Sequence, residues 1–279
     1  MAKKKTVIEI IAMKSAGNKI TMLTAHDASM AALLAGCDVD VLLVGDSLGM
    51  VALGYDSTVP VTMDEMIHHA AAVRRGAATA FVIGDMPFGS YQSSPRDAIV
   101  NGGRFLKEAG CDAVKLEGGQ EVCMTVAAMV AAGIPVMGHL GLTPQTASQL
   151  GGYKVQGKDL ESARKMIAAA EALQQAGAFG LVLECIPEQL ARIISEKLSI
   201  PTIGIGAGVH CDGQVLVTHD LLGMFEKFIP SFVKTYVSLS PLIKDNILRY
   251  AEEVRHGSFP DAAHSFTSQI DLSELLARK

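Results

Sequence analysis

The stretch Ala109-Gly110-Cys111-Asp112-Ala113-Val114-Lys115-Leu116-Glu117-Gly118-Gly119 contains the pattern that organises the whole chain. A helix ends in a small residue and a glycine, a short apolar run follows, and charged side chains appear where that run ends. The first half of this phrase recurs: Ala35-Gly36 precedes residues 39–44, Arg75-Gly76 precedes 80–83, Ala132-Gly133 precedes 134–137, and Ala176-Gly177 precedes 180–183. Glycine just past a helix end adopts the left-handed conformation without a Cβ penalty, so these junctions read as helix-to-strand turns. Residues 20–24, 113–116, 202–205 and 215–218 bring the candidate strands to eight.

The strands are continuous apolar runs rather than alternations, which indicates burial on both faces and a parallel sheet covered by helices. Helical patterns lie between them at residues 63–75, 96–109, 121–131 and 160–175, and Pro95 suits the first turn of one of these helices. Eight strand–helix units in 279 residues predict an α/β fold, a (β/α)₈ TIM barrel. It is expected to form a single domain over residues 1–279, with an N-terminal helix and a C-terminal tail from about 259–279. An open doubly wound sheet is the alternative. Two long segments that follow strands, 49–61 and 141–158, are expected to lie over the catalytic face as lids. The tail ends in a short amphipathic stretch, 272–277.

Composition removes several classes of function. With 49% hydrophobic and 19% charged residues the chain is too apolar for disorder. Its net charge is −5, and Lys and Arg are dispersed apart from Lys3 to Lys5, which read as a solvated tail, so no nucleic-acid footprint is expected. No apolar run is long enough for a membrane helix; the nearest, 126–137, is broken by Gly133 and Pro135. No apolar signal region follows the N-terminal lysines, and the five cysteines form no CxxC pair. A reducing, cytoplasmic location fits these features.

Charges recur where a buried parallel sheet should exclude them, at strand C-terminal ends: Asp46, Asp85, Lys115, Glu117, His139 and Glu184. In a barrel these ends converge on one pocket, so Asp46, Asp85 and Glu117 form a candidate hard-oxygen site suited to Mg²⁺. The plainer reading makes each acid a helix cap or turn residue. Lys115 shares parity with Glu117 and must pair with the acids, hold an anionic substrate, or both. Glu184 is placed to abstract a proton from a bound molecule, its plainer role being a cap for the helix near Pro187. His139 is either a polar pocket wall or a satisfied rim histidine. His68 and His69, on an outer helix, read as structural. The GxGxG of residues 204–208 invites a phosphate reading, although close approach of a flat ligand suits it equally.

The phrases VGDSLGM (44–50), GDMPFGSYQ (84–92), VKLEGG (114–119), GHLGLTPQ (138–145), GGYKVQG (151–157), LECIP (183–187), PTIGIGAG (201–208) and DGQVLVTHDLLG (212–223) closely resemble the ketopantoate hydroxymethyltransferase family. The likeness runs in order through nearly the whole chain to Phe259-Pro260 and His264-Ser265-Phe266, with one departure: His26 stands where the family more commonly has Tyr. The resemblance implies a homodecameric barrel enzyme of pantothenate biosynthesis. It would transfer a hydroxymethyl group from 5,10-methylenetetrahydrofolate to 3-methyl-2-oxobutanoate, giving 2-dehydropantoate through an enolate chelated to one Mg²⁺ per subunit. By the matching motifs, Asp46, Asp85 and Glu117 correspond to the magnesium acids, Asp46, Ser47, Asp85 and Lys115 to the keto-acid contacts, and Glu184 to the proton acceptor; His139 joins the substrate-binding candidates. Two other readings are a Mg²⁺-dependent lyase or mutase of the phosphoenolpyruvate mutase and isocitrate lyase type, and a non-catalytic barrel subunit. The first more often carries a reactive Cys in a lid, and neither long segment here contains one. The second predicts missing site acids, and all are present.

Overall fold

The strands are β1 (Ile20–Thr24), β2 (Val41–Val44), β3 (Phe81–Asp85), β4 (Ala113–Lys115), β5 (Val136–Gly141), β6 (Gly180–Glu184), β7 (Thr202–Ile205) and β8 (Gly213–Leu216). In the computed structural model, which describes residues 4–148, 152, 154–227, 229–270 and 275, they pair in parallel in sequence order and close into one barrel. Closure runs through Ile20↔Gly213 to Leu23↔Leu216, so the open sheet is excluded. The eighth strand starts and ends two residues earlier than expected, and Thr218 begins a helix instead. The fifth starts at Val136 and runs on to Gly141, which brings His139 into the ladder.

The helix α1 (Val7–Ser15) precedes the barrel, and α2 (Ala28–Gly36), α3 (Leu48–Val51), α4 (Met63–Gly76), α5 (Pro95–Lys107), α6 (Cys123–Ala131), α7 (Leu160–Gln175) and α8 (Glu188–Lys197) follow β1 to β6. Their starts are locally encoded. Thr62 and Glu65 form a capping box on α4, and Ser94 caps α5 with Pro95 in its first turn. The seventh unit departs from the expected repeat, since β7 passes to β8 with no helix between them. After β8 come the single turn α9 (Thr218–Leu221) and then α10 (Leu239–Arg255), of whose residues only Ser240 is buried.

Three of the five expected glycine caps are left-handed, Gly110, Gly133 and Gly177. The other two work differently. Gly36 ends α2 and the positive φ falls on Asp38, whereas Gly76 ends α4 where a Cβ would overlap the Ala28 backbone, so it serves close helix packing.

Alternate strand residues fill the barrel interior: Met22, Val41, Leu43, Phe81, Ile83, Ala113, Met137, Val182, Ile203 and Val215. Ile10 of α1 is fully buried against them and seals the floor. A second apolar layer, including Val82, Val114, Leu181, Met66, Phe105 and Leu173, joins the outer strand faces to the helices. At the floor, three aspartates just before even-numbered strands each bind the preceding strand. Asp40 accepts from Thr21 N (2.8 Å), Asp112 from Val82 N (2.9 Å) and Asp212 from Thr202 N (2.8 Å). Each also pairs with cations: Asp40 with Lys5, Asp112 with Arg74 and Lys4, and Asp212 with Lys14. Lys4 and Lys5 are therefore part of the floor rather than a solvated tail. Lys3 and, apart from Leu275, the stretch 272–277 lie outside the described residues.

Candidate active site

Strand parity builds the site. Ile83, Ala113, Met137 and Val182 face the barrel axis, so the residues two further along, Asp85, Lys115, His139 and Glu184, face it one layer higher, at the C-terminal mouth. Asp46 and Ser47 follow β2, and Glu117 follows β4. All seven line one cavity of about 320 Å³. Both long segments overhang it as expected, through Met50, Val51 and Thr58 of the first and Leu142, Pro144, Lys154 and Val155 of the second. Residues 149–151 and 153 of the second lie outside the described residues.

Lys115 Nζ lies 2.9 Å from Asp85 Oδ1, 3.2 Å from His139 Nδ1 and 4.0 Å from Glu117 Oε1. His139 bridges the gap toward the candidate base: Nδ1 is 3.5 Å from Glu117, and Nε2 approaches Glu184 Oε2 to 3.2 Å without forming an aligned hydrogen bond. The space expected between Glu117 and Glu184 is thus walled by this imidazole. The capping alternatives fail. Asp85 Oδ2 accepts from Asp46 N, Asp46 Oδ2 accepts from Gln145 Nε2, and α8 begins after Pro187 with no side-chain cap. Ser47 begins α3 without a side-chain cap either, which leaves its hydroxyl for a ligand.

The electrostatics are unbalanced toward negative charge. Burial, reinforced by Asp85 and Glu117, raises the Asp46 carboxyl well above the usual carboxylate range. Burial likewise pushes Glu117 and Glu184 up to about 8, with Lys115 pulling down and Asp85 pushing up on each. For Lys115 burial would lower the pKa, but Asp85, Glu117 and Asp46 reverse this and keep the ammonium charged. His139 is driven well below its ordinary value by burial and by Lys115, so it is neutral and its Nδ1 accepts from the ammonium.

Among the described residues no three His, Cys, Asp or Glu side chains already stand as a metal-binding cluster. The donor set nevertheless fits Mg²⁺. That ion is held by one or two carboxylates and completes its shell with water and substrate oxygens, so a ready trio is not required. Asp46, Asp85 and Glu117 offer only hard oxygens, and the raised carboxyls of Asp46 and Glu117 are groups that a bound cation would favour in their ionised form.

Sequence reasoning missed the residues that hold this arrangement. Gln145 donates from Nε2 to Asp46 and to Met86 O (2.9 Å each), and its backbone N–H donates to Glu117 Oε2 (3.1 Å). Tyr91 donates to Gln145 Oε1 (2.8 Å) and accepts from Glu117 N (3.1 Å). Both lie in quoted phrases, GHLGLTPQ and GDMPFGSYQ, but as uncharged residues they gave no chemical signal. Asp220 of α9, another cavity residue, does carry a signal, a charge two residues past the expected strand 215–218, and is absent from the sequence candidates. His69 is structural as expected, its Nδ1 2.6 Å from His26 O. His26 is buried, stacks on His219 at 5.4 Å, and is lowered to about 3 by burial and by its histidine neighbours.

A sequence profile of ketopantoate hydroxymethyltransferase matches residues 4–262. The chain is 64% identical to the 3-methyl-2-oxobutanoate hydroxymethyltransferase of Desulfotalea psychrophila over 98% of both sequences. It is 58% identical to that of Carboxydothermus hydrogenoformans over 96% of this chain and 98% of the relative. Among solved structures, phosphoenolpyruvate phosphomutase from Streptomyces platensis subsp. rosaceus superposes with a TM-score of 0.60 at 15% identity, covering 91% of this chain and 88% of that one, a likeness of fold.

Proposed function

Because this chain belongs to the ketopantoate hydroxymethyltransferase family, we propose that its barrel mouth moves the one-carbon unit of 5,10-methylenetetrahydrofolate onto C3 of 3-methyl-2-oxobutanoate. Water supplies the hydroxyl oxygen, and 2-dehydropantoate and tetrahydrofolate leave. The observation that carries the reading is Glu184 facing the Asp85–Lys115 pair across one cavity, with neutral His139 between them.

Asp46, Asp85 and Glu117 would hold Mg²⁺, which when bound draws electrons from the keto acid and acidifies its C3–H. Lys115 holds its ammonium where negative charge develops on the keto oxygen, and the surrounding low dielectric strengthens that interaction. Ser47 and Asp85 orient the keto acid at the ends of β2 and β3. Glu184, raised to about 8, has in its ionised form a basicity suited to taking the C3 proton near neutral pH, with His139 Nε2 3.2 Å from its Oε2. Val182, Ile205, Val215 and Leu142 form dry walls that limit side reactions with water.

Glu184→Gln should retain binding of keto acid and Mg²⁺ and lose about 10²–10⁴-fold in exchange of the C3 proton in deuterated water. Undiminished exchange would remove Glu184 from the base role. Asp46→Ala and Asp85→Ala should weaken Mg²⁺ and keto acid together; tight Mg²⁺ binding in both variants would sink the metal assignment.

The homodecamer and the cytoplasmic location belong to the same proposal. The assembly is supported by α10, which exposes Leu242, Ile247, Leu248 and Tyr250 at 56–60%. The location is supported by five cysteines that are all free. Among the described residues no helix is long and apolar enough to cross a membrane.

A further inference from the structure

The keto-acid groups occupy the mouth from β2 round to β6, and the remaining sector, from β7 to β1, is built differently. Asp220, on α9 just after β8, is 7% exposed, and its Oδ1 atom has no hydrogen-bond partner. It lines the same cavity as Asp46 and Glu184. Thr58 of the first lid is 2% exposed, lines that cavity too, and has a partnerless Oγ1. Burial pushes the Asp220 carboxyl up to about 6, so near neutral pH it is a largely ionised acceptor.

Flat apolar walls stand in the same cavity. Phe225 and Phe232 line it, and the Phe232 ring lies against the backbone of Gly206. A Cβ at Gly206, whose φ is 63°, would come within 2.7 Å of that ring. The glycine-rich turn after β7 therefore seats an aromatic side chain.

A buried carboxylate without donors is costly unless a ligand supplies them, and flat apolar walls select a flat ligand. The matching chemistry is a planar heterocycle with two adjacent N–H groups on one edge, which a carboxylate accepts through both oxygens. The 2-amino-4-oxopyrimidine ring of a reduced pterin has that edge, in N3–H and the 2-amino group. We propose that Asp220 binds the pterin edge of the folate co-substrate, with Phe225 and Phe232 beside the ring and Thr58 Oγ1 meeting a further polar atom. This rests on the folate-dependent reading above. It divides the mouth into a charged keto-acid half and an aromatic pterin half, so that the methylene group is delivered between them.

The test measures tetrahydrofolate binding calorimetrically to the full chain loaded with Mg²⁺ and 3-methyl-2-oxobutanoate, for the unaltered protein, Asp220→Asn and Asp220→Ala. Folate affinity should fall roughly 10–100-fold in both variants, while C3-proton exchange, which uses no folate, falls by less than about threefold. A 2-deamino analogue of tetrahydrofolate should bind the unaltered protein more weakly than tetrahydrofolate, with no further loss in Asp220→Asn. Unchanged folate affinity in both variants, equal losses in binding and exchange, or additive losses for variant and analogue would each overturn the assignment. Failure of the unaltered protein to bind tetrahydrofolate would refute the folate reading itself, and the role of Asp220 with it.

Discussion

At the floor of the barrel Asp40, Asp112 and Asp212 each meet a cation and a strand amide, whereas at the mouth Asp46, Asp85, Glu117 and Glu184 share one lysine. Both ends gather carboxylates, and Asp40 at the floor shifts in the opposite direction to Asp46, Glu117 and Glu184 at the mouth. At the floor Asp40 gains from ionisation, because the hydrogen bonds of Thr21 and the ammonium of Lys5 outweigh burial and hold its carboxyl below the ordinary value. Three of the mouth carboxylates are raised instead, because burial is not matched by donors. One end of the barrel thus uses acids for cohesion, and the other holds acceptor capacity that its own donors do not fill.

The largest effect should follow from removing the buried cation that stands among the mouth carboxylates. Lys115→Met is expected to lower turnover about 10²–10³-fold, with thermal stability little changed because the acids around it can take up protons. Turnover within about tenfold of the unaltered protein would make Lys115 a structural counter-ion only. At the floor the outcome should reverse. Asp112→Ala leaves Arg74 and the Val82 amide without their shared acceptor and should cost about 2–4 kcal/mol in urea unfolding, with turnover of the folded enzyme preserved. Equal losses in stability and turnover would erase the division between the two ends.

Gly76→Ala tests packing without charge. Its Cβ would force α2 and α4 apart at Ala28, and a cost of about 1–3 kcal/mol is expected, again without effect on turnover. The smallest change is expected at the Asp40–Lys5 pair of the floor. Asp40→Asn should cost about 0.5–1 kcal/mol at pH 7, since Lys5 is 35% exposed. The sign follows from the lowered Asp40 pKa: its contribution is present above the ordinary carboxylate pKa and is lost as pH falls through the folded value. The two proteins should therefore converge in stability under acid; a gap that persists there would assign the effect to the Thr21 hydrogen bonds alone.

Much of this division was legible before any coordinates. The barrel followed from apolar runs after small-Gly helix ends, and the mouth from charges at strand termini, because strand parity carries Lys115 and Glu117 to the same face. The exceptions arise where local pattern and tertiary packing part company. Gly76 looks like a cap and is a packing glycine; the seventh unit keeps its strand and has no helix; and Lys4 and Lys5 look like a free tail but close the floor. Gln145 and Tyr91 were illegible for another reason. Their importance lies in which buried carboxylate each one touches, and no property of Gln or Tyr announces that.

The floor aspartates join β1 to β2, β3 to β4 and β7 to β8, and the β5–β6 seam has no such carboxylate; there Phe179 N bonds Val136 O directly. That seam has the longest register in the barrel, from Met137↔Gly180 to Gly141↔Glu184. Glu184 is therefore indexed against His139 by main-chain pairing alone. Side-chain drift at those three aspartate seams can retune the heat tolerance of the protein over evolutionary time while the spacing between Glu184 and His139 is inherited unchanged.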